Sequence, residues 1–580
     1  METDFLPPHL RKYVVEQHYE KYTPVDQAVW RYVLRQLKAF LSKHAHECYV
    51  EGLKKTGIDI ERIPRIEDVS KKIQEFGWRA LPVSGFIPPA AFMELQSLGV
   101  LPIASDMRTL DHLLYTPAPD IVHEAAGHAP ILIHPEFSDY LRQYAQVAKK
   151  AIISKEDLDL YEAIRDLSDI KENPASTPEQ VKAAEEHLDK VGKSISHISE
   201  ASELSRMNWW TAEYGLIGEL DNPKIFGAGL LSSVGESKWC LSQKVKKIPL
   251  TVDCIKTSYD ITEPQPQLFV AKDFKTLVRV LDEMADQMAF RIGGLKGLNK
   301  AIEAQSVNTA ELNSGLQISG QIVEAITDSN GALAYLRLQG PSQLSYQDHE
   351  LPGHDQKYHA HGFGTPVGFL KAYPNQCPST FTASQWAELN VVAGKETRLE
   401  FVSGVVVTGK VQSVLQKDGK TLVLALTDAK AEFNGRVLFA PEWGTFDMAV
   451  GSTVPSVFGG PADREAYGET TDFVAKRVPA PKYSNEELQR QSLYGQVRKI
   501  REDKLQGPAL TDALEKVLTV HKTLMPTDWL LLMESLELVL SRHPESKLKK
   551  QIEDDLATLS KKDEKTHGLI SDGLVLAGAL

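Results

Sequence analysis

The segment TPAPDIVHEAAGHAPILIHPEF, residues 116–137, decides how this chain is interpreted. It places His123 and His128 five positions apart, with Glu124 directly after the first histidine. Zinc hydrolases of the HExxH type instead place their two histidines four positions apart, on one face of a helix. At about 100° per residue, rings five positions apart would diverge by about 140° on a regular α-helix. The rings converge if His128 lies at a helix end or bend, which Gly127 favours.

A second segment, RMNWWTAEYGLIG at residues 206–218, supplies a candidate third ligand. Glu213 stands there among Trp209, Trp210 and Tyr214. A carboxylate in apolar, aromatic surroundings is costly to bury unless it is paired or binds a metal. The alternative is that Glu213 lies on the polar edge of its helix. Because the chain has 17 histidines, a closely spaced pair alone is weak support for a metal site.

Composition limits the classes of function. The 580 residues carry a formal net charge of −13, which argues against a nucleic acid or an anionic membrane as the main partner. No run of about 18 apolar residues predicts a membrane span, and the N-terminus has no apolar signal region. The four cysteines are scattered without a CxxC pair, so disulfides and zinc knuckles are not expected. We therefore expect a protein of the reducing cytoplasm.

Periodicity divides the chain into three predicted parts. Residues 1–305 are mostly helical, with a very polar helical insertion at about 155–200, in which Thr177 before Pro178 is typical of an N-cap and first turn. Residues 315–482 contain short alternating apolar runs separated by Gly and Asp, which predict a β-rich domain. Helical periodicity returns in residues 483–580. The predicted fold is a mainly α domain, then a β-rich domain and a C-terminal helical segment.

Four sequence blocks in order resemble the catalytic domain of the pterin-dependent aromatic amino acid hydroxylases, the phenylalanine hydroxylase family. They are PDIVHEAAGH, WWTAEYGL, IFGAGLLSSVGE and YDITEPQPQLFVA, and the resemblance covers about residues 1–300. It implies that residues 1–305 form the catalytic domain and that His123, His128 and Glu213 bind iron(II). Two histidines and one carboxylate leave three coordination positions open.

The resemblance also implies binding residues for a tetrahydropterin and for the substrate. PVSGFIPPAAF, from Pro82, resembles the pterin loop. The implied pterin contacts are the backbone of Gly85, Phe86 and Ile87, the ring of Phe92 stacked on the pterin, and Glu124 through water. Arg108 resembles the arginine that pairs with the substrate carboxylate, for which a bidentate guanidinium is suited. The other implied substrate-binding residues are Thr116, Pro119, Trp209, Gly229 and Ser232, and Ser232 also resembles the partner of an iron-bound histidine.

The expected activity is a monooxygenase reaction that uses O₂ and a tetrahydropterin to hydroxylate the ring of a free aromatic amino acid. Phenylalanine to tyrosine is the favoured reaction, and tryptophan or tyrosine remain alternative substrates. A different alternative is a metal-dependent hydrolase with Glu124 as general base. A third is a non-catalytic binding protein in which the β-rich part carries the function.

Two features depart from the family pattern. The 85 positions between His128 and Glu213 exceed the usual gap, and we expect the extra polar residues to form an external helical hairpin. The β-rich part is additional, and its segment from Gln347 contains His349, His354, His359 and His361. These four histidines either bind a second metal or are solvated loop residues. We expect the C-terminal helices to cover an apolar face or to contact another subunit in a homo-oligomer.

Overall fold

A computed structural model describes the chain as a mixture of helices and strands. The described residues are 3–83, 87–113, 119–172, 176–260, 263–468, 483–562 and 564–579. None of the helices in these ranges is both long enough and apolar enough to cross a membrane.

The first 304 residues are dominated by helices. The longest, Pro24–His44, begins at a capping box in which Thr23 and Asp26 exchange hydrogen bonds, and it buries one apolar face. The other α-helices are Pro8–Arg11, Cys48–Lys55, Ile66–Ile73, Pro89–Ser97, Pro135–Ala148, Lys155–Glu172, Pro178–Ser194, Glu200–Asn208, Ala228–Leu231, Val234–Trp239, Phe274–Ala285, Ala289–Ile292 and Gly294–Ala304. Short 3₁₀-helices are Tyr19–Lys21, Gln74–Phe76, Leu110–His112, Ala129–Ile133 and Val252–Lys256, and π-helices are Val122–His128 and Trp209–Glu213.

Two small sheets accompany these helices. Arg79–Val83 pairs in parallel with Val100–Ala104. The other sheet has the strand order Asn222–Ile225, Leu216–Glu219, Gln267–Ala271, Lys246–Pro249. Leu216–Glu219 begins three residues after Glu213, so this second sheet anchors the end of the π-helix that carries the glutamate.

The predicted polar insertion is a helical hairpin on the outside of the molecule. Lys155–Glu172 and Pro178–Ser194 are its two helices, and none of the residues described in the second helix is buried. Thr177 accepts a hydrogen bond from the backbone of Gln180 and completes a capping box. This confirms the predicted N-cap.

Residues 307–459 form two antiparallel sheets. The first has the order His349–Glu350, Leu333–Tyr346, Leu316–Thr327, Val307–Glu311, Ser456–Gly459, with Gly362–Pro366 also paired to Leu333–Tyr346. The second has the order Glu396–Glu400, Val406–Lys417, Lys420–Phe433, Arg436–Phe439, with Phe446–Ala449 paired to Lys420–Phe433. Short helices at Pro378–Thr380, Ala383–Glu388, Pro441–Trp443 and Arg464–Tyr467 lie between or after the strands. The first strand starts before the predicted boundary at 315, because VNTAE has no clear alternation of apolar residues.

The C-terminal helices pack on the first 304 residues of the same chain. They are Asn485–Glu502, Gly507–Leu524, Trp529–Arg542, Lys547–Leu559 and Glu564–Ala579. Their buried side chains belong to one apolar cluster with those of Pro24–His44, whereas the two antiparallel sheets have clusters of their own. Tyr32 illustrates the contact, because its hydroxyl donates to the carbonyl oxygen of Leu569 at 2.6 Å and its ring meets Trp529 edge-on.

Candidate metal centre

Two π-helices present the three predicted metal ligands. His123 and His128 lie on Val122–His128, and Glu213 is the last residue of Trp209–Glu213. In a π-helix the backbone hydrogen bonds connect residues five apart. Residues with that spacing therefore come closer to one face than they do on an α-helix. The structure differs here from the expected bend or helix end, because the turn itself is widened.

The three side chains converge on one point. His123 Nε2 and His128 Nε2 are 3.2 Å apart. Glu213 Oε2 is 3.3 Å from His123 Nε2, and Glu213 Oε1 is 3.2 Å from His128 Nε2. Burial alone would raise the pKa of Glu213, but the adjacent His128 and His123 hold it well below its usual range. The carboxylate is therefore ionised at neutral pH and can act as an anionic ligand.

Ser232 sets the tautomer of His123. The Ser232 hydroxyl donates to the carbonyl oxygen of Ala228 at 2.7 Å, and its oxygen lies 3.1 Å from His123 Nδ1. Since the hydroxyl has one proton, which Ala228 receives, the oxygen accepts a hydrogen bond from His123 Nδ1–H. The Nε2 of a neutral His123 then carries a lone pair directed at the cluster, as a metal ligand requires.

Glycines allow the segment with Ser232 to approach the π-helices. A Cβ on Gly227 would lie 2.4 Å from the carbonyl oxygen of Glu213, and a Cβ on Gly127 would lie 2.6 Å from that of Ala228. A Cβ on Gly229 would lie 2.8 Å from the Tyr214 ring. These distances are too short for any side chain. A Cβ on Gly229, which is predicted as a substrate-pocket residue, would also lie 3.1 Å from the carbonyl oxygen of Glu213.

Arg108 forms a buried ion pair with Asp120 beside His123. Arg108 Nε donates to Asp120 Oδ2 at 2.8 Å, Nη2 donates to Oδ1 at 2.7 Å, and Nη1 donates to the Ser232 carbonyl oxygen at 3.2 Å. Asp120 Oδ1 also accepts the backbone N–H of His123 at 3.1 Å. Burial would raise the pKa of Asp120, but the Arg108 guanidinium holds it below its usual value.

An aromatic stack borders the centre. Trp209 lies between Tyr214 and Tyr259, with ring centroids 4.4 and 4.3 Å away. The Tyr214 hydroxyl donates to Glu236 Oε2 at 2.7 Å. No role was predicted from the sequence for Asp120, Tyr259 or Glu236. All three lie inside the four blocks, so their position within these blocks was the available signal.

The other predicted binding residues are only partly described, and those that are described differ in their burial. Gly85, Phe86 and Thr116 lie outside the described residues. Ile87 is buried and Phe92 is half-buried, and both pack in a separate apolar cluster near the N-terminus. Pro119 is exposed. Glu124 is buried with Oε2 4.0 Å from His128 Nε2, and burial raises the pKa of Glu124 to about 8.

The donor set fits a divalent iron ion. Two imidazole nitrogens and one carboxylate are the ligands of the facial triad found in non-heme iron(II) oxygenases. Neighbouring ligands at about 2.1 Å from one octahedral ion are about 3.0 Å apart, close to the 3.2 Å between the two Nε2 atoms. Residues His123, His128 and Glu213 would hold such an ion without rearrangement of the backbone.

Comparisons with known proteins identify the family of this chain. The model of the biopterin-dependent aromatic amino acid hydroxylases matches residues 13–156 and 185–295, and the unmatched residues between them fall in the helical hairpin. The phenylalanine-4-hydroxylase of Mesorhizobium japonicum is 30% identical over 269 residues, which are 46% of this chain and 81% of the relative. That of Rattus norvegicus is 32% identical over 264 residues, which are 44% of this chain and 48% of the relative.

A solved structure of phenylalanine hydroxylase from Chromobacterium violaceum, with bound iron(III) and 7,8-dihydrobiopterin, is 25% identical. Its TM-score is 0.38, and the alignment covers 48% of this chain and 86% of that chain. The family model spans the described centre, and the alignment with the relative from Mesorhizobium japonicum covers most of that relative. This chain therefore belongs to the biopterin-dependent aromatic amino acid hydroxylase family.

Proposed function

We propose that this protein is an iron(II)- and tetrahydropterin-dependent monooxygenase that converts phenylalanine to tyrosine. The observation that carries the proposal is the convergence of His123, His128 and Glu213 within 3.3 Å of one another, in a chain of this family. The relatives from Mesorhizobium japonicum and Rattus norvegicus are phenylalanine-4-hydroxylases. Phenylalanine is therefore the substrate that the comparisons favour.

In this proposal the three side chains hold the iron and leave part of its coordination sphere free. Bound iron and tetrahydropterin together supply the activation of O₂. The protein fixes the ligands before the ion arrives, because Ser232 orients His123 and the packed glycines hold the Glu213 backbone. Such preorganisation matters, since a loosely held ligand set loses both affinity and rate.

Arg108 is suited to bind the substrate carboxylate. A guanidinium has five N–H groups, and the described contacts use three of them, on Nε, Nη2 and Nη1. One N–H group on each terminal nitrogen is left, which is enough for a bidentate grip on one carboxylate. Asp120 holds the Arg108 guanidinium in place while the substrate binds.

The aromatic stack is suited to line the pocket for the substrate ring. Trp209 continues the turn that carries Glu213, so its ring position is tied to that of a metal ligand. We assign Thr116, Pro119 and Gly229 to the same pocket on the family resemblance. Ring selectivity then depends on the space between these residues and the stack.

The pterin is assigned to the loop before Pro89–Ser97. Gly85, Phe86 and Ile87 would offer backbone hydrogen bonds, Phe92 would stack on the pterin ring, and Glu124 would reach it through water. Stacking of two flat rings contributes about 1 kcal/mol beyond burial. The half-buried state of Phe92 is compatible with this role, since part of its ring is accessible.

We also propose how the activity is distributed along the chain. Residues 1–305 would form a catalytic domain with the hydroxylase-like fold, followed by a β-rich domain at 315–482 and a helical segment at 483–580. The protein would act in the cytoplasm. Homo-oligomer formation through the C-terminal half is an additional proposal, which light scattering on the full chain would test.

The test of the activity is reconstitution of the full-length protein with iron(II) under anaerobic conditions. An assay in air with a tetrahydropterin and phenylalanine, tyrosine or tryptophan should then give pterin-dependent tyrosine from phenylalanine. Glu213→Gln should abolish this product and the bound iron, whereas Glu219→Gln, an exposed glutamate six positions later, should retain both. One equivalent of zinc without pterin-dependent tyrosine would instead support the hydrolase that uses Glu124.

A further inference from the structure

A second cluster of metal-ligating side chains lies where the two antiparallel sheets meet. His354 and His359 belong to the loop between His349–Glu350 and Gly362–Pro366, and Asp447 belongs to Phe446–Ala449. One ligand atom from each residue lies within 4.8 Å of the other two. The cluster thus joins the first sheet to the second sheet, far along the chain from the hydroxylase ligands.

The backbone fixes both histidines on the first sheet. The carbonyl oxygen of His354 accepts from the N–H of Leu344 at 3.1 Å, and that of His359 accepts from the N–H of Ser342 at 3.1 Å. Both partners belong to Leu333–Tyr346. The histidines are therefore held by strand pairing and are not carried on a freely solvated loop.

A local turn directs the two rings to one place. Asp355 Oδ1 accepts the backbone N–H groups of Lys357 at 3.1 Å and Tyr358 at 2.8 Å. This turn brings His354 Nδ1 to 3.1 Å from His359 Nε2. Two ring nitrogens at this distance need either a shared proton or a cation between them, because two lone pairs repel.

Burial and charge at the cluster favour metal binding. His359 and Asp447 are buried, while His354 is half-buried. A cation between these side chains would offset the cost of burying the Asp447 carboxylate.

The strand that carries Asp447 is also held in place. Asp447 is paired with Ala425 in the second sheet. The two sheets are joined nearby by the Thr365 hydroxyl, which donates to the carbonyl oxygen of Ala449 at 3.0 Å. The carboxylate thus faces the histidines from a fixed strand of the other sheet.

We propose that His354, His359 and Asp447 bind one divalent transition-metal ion of the zinc class, separate from the hydroxylase centre. Two imidazoles and a carboxylate are a ligand set that zinc accepts, and the half-buried side of His354 leaves room for a water molecule as fourth ligand. The ion would connect the two sheets and stabilise their packing. The site does not depend on the proposed hydroxylase activity.

The same loop supplies matched control residues. Of the four histidines singled out in the sequence, His349 and His361 are exposed and do not belong to the cluster. Their replacement removes a histidine without removing a proposed ligand. If surface histidines bound the metal nonspecifically, replacing His349, His354 or His361 would reduce binding equally, whereas the proposed site is lost only in the His354 variant.

The experiment is a Co²⁺ titration of the full-length protein after removal of metal with a chelator. The wild type should bind two equivalents, and His354→Gln should bind one. His349→Gln and His361→Gln should each bind two. The double variant His123→Ala, Glu213→Gln should keep one equivalent, which separates this site from the hydroxylase centre.

The stability of the protein provides an independent measurement. Excess Zn²⁺ should raise the unfolding midpoint of the His123→Ala, Glu213→Gln protein, because a ligand that binds only the folded state stabilises it. Adding His354→Gln or Asp447→Asn to this background should remove the increase. The proposal is overturned if the His123→Ala, Glu213→Gln protein binds no Co²⁺, or if His354→Gln still binds two equivalents. Because His354 is half-buried, its replacement disturbs the packing least. The metal binding of the His354→Gln variant is therefore the decisive measurement.

Discussion

A single hydroxyl group orients one of the two proposed histidine ligands. The Ser232 oxygen accepts from His123 Nδ1 because its own proton goes to Ala228. Partners of this kind typically change metal affinity by about 10- to 100-fold when they are removed. We therefore expect Ser232→Ala to weaken iron binding by about that factor, measured by competition with a chelator.

The neighbouring serine is the control for this prediction. Ser233 accepts the backbone N–H of Glu236 at 3.3 Å and caps the helix Val234–Trp239. Ser233→Ala should lower the free energy of unfolding by about 1 kcal/mol with the iron affinity unchanged. Equal losses of iron affinity in both variants would mean that the segment merely packs against the site.

Asp120 should support substrate binding indirectly, by holding Arg108 in position. Hydrogen bonds to charged groups contribute about 1.5–3 kcal/mol, which corresponds to about 10- to 100-fold in an equilibrium or rate constant. We expect Asp120→Asn to lower kcat/KM for phenylalanine by about this factor, since the Arg108 guanidinium loses its charged partner. The KM for the tetrahydropterin should stay the same.

The exposed Asp111 serves as the matched control for Asp120. Asp111→Asn should leave both kinetic constants as they are in the wild type. Because Asp120 also accepts the backbone N–H of His123, iron content must be measured in the same preparations. A variant that loses iron and keeps kcat/KM per bound iron would contradict the role in substrate binding.

At the scale of elements, the π-helix Val122–His128 depends on close packing against residues 227–232. A Cβ on Gly127 would stand 2.6 Å from the Ala228 carbonyl oxygen. Forcing an extra methyl group into such a contact costs about 1–3 kcal/mol. We expect Gly127→Ala to lower the free energy of unfolding by that amount, measured by urea denaturation, and to weaken iron binding because both histidines move.

Gly192 is the control on another helix. It lies on the exposed helix Pro178–Ser194, where an added Cβ would meet no atom within 4 Å among the described residues. Replacing a helical glycine with alanine stabilises an exposed helix by about 0.5–1 kcal/mol. Gly192→Ala should therefore be neutral or stabilising, with iron binding unaffected. Loss of iron in this variant would contradict the role assigned to packing at Gly127.

The helices also show which parts of the structure could be predicted from the sequence. Capping residues were sufficient to predict the N-cap at Thr177, because this signal is local. The π-helices were not predicted, since a widened turn has no local pattern and arises from packing. The neighbour relations of Asp120 were also missed, because they require the position of Arg108 in three dimensions.

At the scale of the whole molecule, a buried charge cluster attaches the C-terminal helices to the helix Pro24–His44. Glu534 Oε2 accepts from Arg31 Nη2 at 2.6 Å and from Arg501 Nη2 at 3.2 Å. Arg31 and Glu534 are 503 positions apart, so no periodicity in the sequence could have paired them. The cluster explains why these helices share one core with Pro24–His44.

This cluster makes stability depend on pH. Burial alone would raise the pKa of Glu534, but Arg31 and Arg501 lower it to about 2. Because the pKa is lower in the folded than in the unfolded protein, the stabilisation is complete above about pH 4.5 and is lost as the pH falls towards 2. A shift of this size corresponds to about 3 kcal/mol, and removal of one member of a buried pair costs about 3–5 kcal/mol.

Glu534→Gln should therefore lower the free energy of unfolding by about 3 kcal/mol at pH 7. The difference from the wild type, measured by urea denaturation, should shrink between about pH 4.5 and pH 2. Taking the difference cancels the titration of other acids, which both proteins share. Glu502→Gln, which removes a mostly exposed partner of Arg498, should change stability by less than about 0.5 kcal/mol at every pH. A constant difference across the acid range would show that Glu534 acts through packing and not through its charge.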